Sequence, residues 1–227
     1  MAKTLPKVLT DEELTTLLRA VPTRSATGRR NYAMLLCMAD NGLRCSEVAH
    51  LGVTDVTANN IHVWRGKGAV DRTFPLIGTR TWLAVQLWKT TRQKRGIRSR
   101  LLFPTIQRGH EGQPLAGAYL YQVVSRYGKR AGLQKHVHPH MLRHTALTNL
   151  ILRGIPMPMV QRIAGHKNVS TTQVYVHVTN DDIREALERT GETKELSPEE
   201  LGRLVLELQE QIADLQEKQN GLAPLAV

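Results

Sequence analysis

The sequence predicts an α+β fold that is mainly helical, with one small three-stranded antiparallel sheet. Three observations carry that prediction. Apolar residues recur at three- and four-residue spacings along most of the chain, and cap or breaker residues stand at the ends of those runs. Between residues 52 and 77 the period changes to short alternating runs. Gly66-Lys67-Gly68 then supplies a turn between the last two of these runs. At 227 residues and 41% apolar, the chain can bury a real core, and wholesale disorder is excluded.

Each element has a local reason. Residues 1–9 read as a loose N-terminal arm. Thr10 caps the first helix, Glu13 completes a capping box, and Leu14, Leu17 and Leu18 form its buried stripe up to Pro22. Residues 29–40 form a more apolar helix, with Tyr32, Ala33, Leu35, Leu36 and Met38 in the core, and Asn41-Gly42 breaks it. Arg44 opens a short helix through His50. Residues 53–56, 60–64 and 72–76 are the three strands. Residues 79–94 form a helix with Trp82, Val85 and Leu87-Trp88 inward. Residues 101–104 make a short buried return, and 105–115 a polar loop. The helix over 116–131 buries Leu120, Val123, Val124 and Tyr127. Pro139 suits the first turn of a helix over 138–153, whose apolar stripe is Leu142, Ala146, Leu147 and Leu150; Gly154 and Pro156 end it. A short helix over 158–164 follows, and Gly165 turns the chain. Ser170 caps a helix carrying Tyr175, and Asp181 starts the last helix of this domain, to Arg189.

Beyond it, residues 191–197 read as a hinge and 198–220 as an acidic amphipathic helix, with 221–227 a flexible tail. Pro198 stands at its first turn, and Leu201, Val205, Leu208, Ile212 and Leu215 alternate four- and three-residue spacings. That seam fits a short coiled coil, or equally a helix docked on its own domain.

Charge is unevenly spread. The formal net charge is +11, but residues 192–220 carry −5, so the remainder carries +16. Such an excess favours a polyanion such as double-stranded DNA. Cys37 and Cys45, both in apolar helical patterns, read as buried reduced thiols. The chain shows no signal-peptide pattern and no apolar run long enough to span a bilayer, so a protein of the cytoplasm, on the nucleoid, is expected.

The chemistry-bearing residues concentrate in His-Pro-His-Met-Leu-Arg-His-Thr (138–145), Ala-Gly-His (164–166) and Ser-Thr-Thr-Gln-Val-Tyr (170–175), with Gly-Leu-Arg (42–44) upstream. His140 and Arg143 are three apart and share a helical face. Arginine offers phosphate a planar fork of donors, and fixed donors stabilise the charge that accumulates on a pentacovalent phosphorus. A tyrosine oxygen can attack that phosphorus and hold it covalently. With Arg, His and Lys carrying the charge, no metal or cofactor is required. His136 and His138 read as support or surface residues, because a zinc site would want further ligands at a recognisable spacing.

This order of motifs over residues 10–190 resembles the tyrosine recombinase (integrase) family. The resemblance implies a catalytic set of Arg44, Lys67, His140, Arg143, His166 and Tyr175. It also implies that Glu47 supports Arg44, and His177 reads as a further supporting residue. In that family the lysine of the hairpin protonates the leaving 5′ oxygen. The implied activity is DNA cleavage and rejoining through a 3′-phosphotyrosyl link, by a homo-oligomer of about four protomers on paired sites. Self-association through the C-terminal helix is expected. Alternatives are type IB topoisomerase-like relaxation and non-catalytic DNA binding. Arg65 and Arg72 read as phosphate contacts beside the hairpin. Lys89, Arg92, Lys94, Arg95, Arg98 and Arg100 read as a DNA-facing rim, with a solvated face as the rival. Arg126, Lys129 and Arg130 form a basic helix face suited to a major groove. The chain departs from the family plan in lacking the helical core-binding domain that usually precedes the catalytic one. A naturally minimal recombinase, a fragment, or a chain needing an accessory DNA-bending or core-binding protein all fit.

Deleting residues 195–227 should reduce oligomer size on DNA, measured by light scattering. Unchanged size with and without DNA would remove the tail from self-association.

Overall fold

The protein is described here by a computed structural model covering residues 8–64, 71–165 and 180–189. All of these lie within Met1–Thr193, one of two units into which the chain divides. The described elements run α1 (Asp11–Arg19), α2 (Ala26–Ala39), α3 (Cys45–His50), β1 (Asn60–Val63), β2 (Arg72–Pro75), α4 (Thr79–Lys94), α5 (Gly117–Arg130), α6 (Pro139–Leu152), α7 (Met157–Ala164) and α8 (Asn180–Arg189).

Local signals in the sequence set most of these boundaries. At α1 the Thr10 hydroxyl accepts from the Glu13 N–H (3.1 Å) while the Glu13 carboxylate accepts from the Thr10 N–H (2.8 Å). Two of the orphan donors at this helix start are thereby satisfied. Pro139 is the first residue of α6, and Gly165 ends α7 in the left-handed conformation (φ 61°). The end of the expected arm is tied down, unlike the loose segment read from the sequence. Leu9 is buried, its N–H donates to Thr145 Oγ1 (2.9 Å), and the Val8 carbonyl accepts from Lys135.

The hydrophobic core is built around α2, which packs against α4 and α6. Every residue from Ala33 to Ala39 is buried. Trp88 of α4, Phe74 of β2, and Leu102 and Phe103 of the buried return complete the centre. The Trp88 indole donates to the Leu102 carbonyl (2.7 Å), so the return satisfies a polar atom that would otherwise be buried alone. Gly42 (φ 63°) turns the chain out of α2. A Cβ there would lie 3.1 Å from Leu147 of α6, so the glycine permits both the turn and the close approach of the two segments.

The sheet is smaller than expected. Among the described residues it has two strands, antiparallel, with Asn60 opposite Pro75 and Val63 opposite Arg72. Residues 53–56 do not form the third. The Gly52 N–H donates to the Asp55 carboxylate (2.6 Å), and the Asp55 N–H donates to the Gly52 carbonyl (3.2 Å). This local turn withdraws backbone groups that a ladder would need, leaving isolated bridges between Val56 and Ile61 and between Gly52 and Leu101.

Two members of the expected basic rim belong to the interior. Arg92 is 6% exposed and donates to the carbonyls of Leu101 (2.6 Å), Leu102 (3.3 Å) and Ser99 (2.6 Å). It therefore staples α4 to the return segment, and burial pulls its pKa down. Lys89 is half-buried; its ammonium donates to the Val56 carbonyl (3.0 Å) and lies 5.6 Å from the centroid of the Trp82 ring. A periodic run of basic residues on a helix must place some members on the packed side, and these are the ones.

Arg92→Leu should cost about 2 kcal/mol of stability in urea unfolding, since it orphans buried carbonyls. Arg95→Leu, at an exposed position, should stay within about 0.5 kcal/mol.

Candidate active site

Arg44 is the N-cap residue of α3, its backbone extended (φ −76°, ψ 155°) after the Gly42 turn. Arg143 lies one helical turn beyond His140 on α6 and is 5% exposed. Its guanidinium donates through Nη1 to the Gly42 carbonyl (2.5 Å) and through Nη2 to the Ala164 carbonyl (2.7 Å). Arg44 Nη1 donates to that same Ala164 carbonyl (3.3 Å). Two guanidiniums 99 positions apart in the sequence thus meet at one oxygen. Ala164 is the last residue of α7, where unsatisfied carbonyls carry partial negative charge and attract cations. The Arg44 side chain stays 34% exposed, leaving part of its fork open to an incoming anion.

Glu47, nearly buried in the first turn of α3, is the counter-charge. It accepts from the Arg44 N–H (2.9 Å) and from Arg44 Nη1 (3.0 Å). It also accepts a two-pronged contact from Arg72, at 2.8 Å and 3.0 Å. Burial by itself would raise the Glu47 pKa, but the Arg72 hydrogen bonds and charge, with the Arg44 N–H and charge, hold it at about 2. Arg72 Nε donates to the Ile163 carbonyl (2.9 Å), one residue before the carbonyl shared by Arg44 and Arg143. Expected at the DNA surface, the Arg72 side chain is 8% exposed and faces inward to Glu47 and α7. The sequence reading missed this because the residue beside a hairpin tip faces either side according to register, which pairing alone decides.

His140 is exposed in the first turn of α6. Before it, His138 caps the helix: its Nδ1 accepts from the Met141 N–H (3.2 Å), and its ring stacks with Tyr121 at 6.2 Å. The His138 pKa is lowered by burial and by the neighbouring imidazoles of His140, His136 and His144. That of His144 is lowered by burial, then by Arg143 and His140. The capping role was readable, since the residue before a proline at the first helical position is the N-cap. Among the described residues, no group of three or more His, Cys, Asp or Glu is placed to hold a metal ion. No described helix is long and apolar enough to cross a membrane. Cys37 and Cys45 are free thiols, Cys37 buried and Cys45 partly so.

Lys94 at the end of α4, Arg95, Arg98 and Arg100 after it, and Arg126, Lys129 and Arg130 on α5, are all exposed. Lys67, Arg65, His166, Tyr175 and His177, like the C-terminal segment, lie outside the described residues. Their flanks are described. β1 and β2 lead into and out of 65–70, and α7 ends at the shared carbonyl, two residues before 166. After residue 179 the chain returns as α8, which packs on β2, with Ile183 and Leu187 buried and Arg184 donating to Asn60 (3.5 Å).

With a mainly helical fold and two converging arginines established, the comparisons with known proteins fall into place. Residues 7–182 match the Phage integrase family, and the chain belongs to it. It is 34% identical over 191 residues to the tyrosine recombinase XerA of Pyrococcus furiosus, covering 83% of this chain and 63% of that one. With the tyrosine recombinase XerD of Listeria innocua it shares 34% over 180 residues, covering 78% and 60%. Among solved structures it resembles XerA recombinase with a TM-score of 0.65 at 27% identity, covering 85% of this chain and 68% of that one. It also resembles XerH site-specific recombinase in a post-cleavage complex with palindromic difH DNA, with a TM-score of 0.63 at 27% identity, covering 82% and 53%. The chain spans less than two thirds of the length of these curated relatives.

The Glu47 environment has a pH signature. A carboxylate held near 2 against an ordinary 4.5 adds stability that is complete above about pH 4.5 and is lost as pH falls toward about 2. The linked stability is on the order of 3 kcal/mol. Glu47→Gln should unfold more easily than wild type at pH 7, and the two acid-unfolding curves should converge near pH 2. Parallel curves across that window would show that the carboxylate is not held down.

Proposed function

We propose that this chain cleaves and rejoins duplex DNA through a 3′-phosphotyrosyl intermediate and thereby exchanges strands at specific sites. The observation that carries this reading is the meeting of Arg44 and Arg143 at the Ala164 carbonyl. It aims two always-charged forks at one place, as charge stabilisation around a single scissile phosphate requires. Family membership and the DNA held by XerH in its complex support it further.

In the proposed step the Tyr175 phenol gives up its proton to solvent as its oxygen attacks phosphorus, the bond to the 5′ oxygen breaks, and Lys67 delivers a proton to that oxygen. Arg44, Arg143, His140 and His166 donate to the non-bridging oxygens as charge builds on them. The phosphotyrosyl bond keeps the reactivity of the phosphodiester. A 5′ hydroxyl from the partner duplex can therefore reverse the attack, returning the phenol and forming the recombined strand. Two pairs of such exchanges join two duplexes, which implies about four protomers, with residues 198–220 as a candidate contact between copies. The exposed basic residues after α4 and on α5 would follow the phosphate backbone outside the catalytic centre.

Tyr175→Phe should abolish the covalent protein–DNA adduct on suicide substrates, read on a denaturing gel, while leaving DNA binding intact. Lys67→Ala should slow adduct formation by about 10²–10⁴-fold. An adduct that persists in Tyr175→Phe would overturn the assignment of the nucleophile.

A further inference from the structure

We infer that Arg72 is a positioning residue of this site, holding the hairpin, the Arg44 helix and the end of α7 in register through Glu47, and that it is not a DNA contact. The inference rests on the activity proposed above and adds to it a residue outside the catalytic set.

The commitments of its guanidinium carry the argument. Nη1 and Nη2 donate to the two oxygens of Glu47, and Nε donates to the Ile163 carbonyl. Its carbon lies 5.5 Å from the centroid of the buried Phe74 ring. Because the Glu47 carboxylate occupies both of its Nη groups, a phosphate could reach it only by displacing that buried carboxylate. Arg44 differs: it shares the same carboxylate but is 34% exposed. One carboxylate therefore joins an inward arginine to an outward one.

The placement of Arg72 explains what it holds. It opens β2 opposite Val63, the last residue of β1, so it closes the ladder where 65–70 begins. Through Glu47 it reaches the N-terminus of α3, where Arg44 is the cap residue. Through Ile163 it reaches the last turn of α7, one carbonyl before the one shared by Arg44 and Arg143. A lysine cannot replace this arrangement, because a single ammonium does not span both carboxylate oxygens and a carbonyl in a fixed plane. Loss of the fork would let Arg44 shift, and a displacement of about 1 Å in a catalytic group costs about 10²-fold in rate.

The test uses the full chain, duplex DNA at a series of salt concentrations, and a suicide substrate in single turnover. R72Q and R72K should each form the covalent adduct about 10²-fold more slowly than wild type. The slope of log affinity against log salt should not change, because no phosphate contact is lost. R72Q should also gain an acid limb in its pH–rate profile, as Glu47 without its fork titrates at higher pH. The double variant R72Q/E47Q should be no slower than the slower single variant, because both act on one contact. A salt slope smaller by about 0.9, or wild-type cleavage by R72K, would make Arg72 a phosphate ligand and overturn the inference. Additive losses in the double variant would do the same. If R72Q does not fold, R72K, E47Q and R72K/E47Q provide the same cycle. A wild-type chain that forms no adduct would instead remove the parent reading, and the salt slopes would still decide the role of Arg72.

Discussion

Three guanidiniums gather at the C-terminus of one eight-residue helix, and the arrangement of the site depends on it. The last two carbonyls of α7 accept from Arg72, Arg44 and Arg143. A helix end is an orphaned, partly negative group that must find donors when it is covered by other elements. Here the donors are the charged forks of three distant segments, so satisfying α7 and assembling the site are one event. Glu47 offsets the like charges brought together, and its low pKa reflects how strongly the arginines favour its ionised form. Removing one partner from such a group leaves a buried charge uncompensated, which is far costlier than losing an exposed ion pair.

The rest of the fold holds these segments at the right distances. α2 is the buried axis; its exit through Gly42 presents a carbonyl to Arg143 and delivers Arg44 two residues later. α6 packs against α2 and α7, so Arg143 is carried on a helix held from both sides. The two-stranded sheet is short because Asp55 closes a turn in place of a third strand, and its free end opens toward residues 65–70. The β2 residue at that end is Arg72, which ties the sheet to the helices. A site built this way is rigid in its arginines, as preorganised charge stabilisation requires.

Basic residues in this protein divide by direction more than by type. Arg72 and Arg92 point inward and end on carbonyls or a carboxylate. Lys94, Arg95, Arg98, Arg100, Arg126, Lys129 and Arg130 point outward. An excess of positive charge is a sound argument for a polyanionic partner. It does not say which cations meet that partner, because an arginine's long apolar stem and multiple donors also suit it to fastening loops inside a fold.

The sequence alone settled much about this protein: nearly all of the described helices, the capping box of Thr10 and Glu13, the turn at Gly42, the start of α6 at Pro139 and the pairing of Arg44 with Glu47. Each depends on residues within about one helical turn of each other, where spacing is geometry. Folding in three dimensions settled the rest. Arg72 turned from the expected DNA surface to Glu47, Arg92 and Lys89 turned into the core, and residues 53–56 became a turn. Arg44 and Arg143 met at Ala164, a backbone oxygen that no side-chain pattern marks. The contacts of Arg72, Lys89 and Arg44 join residues tens to more than a hundred positions apart, those of Arg92 and Asp55 depend on which side of the chain is packed, and nothing local in a chain records which of its two faces will find such a partner.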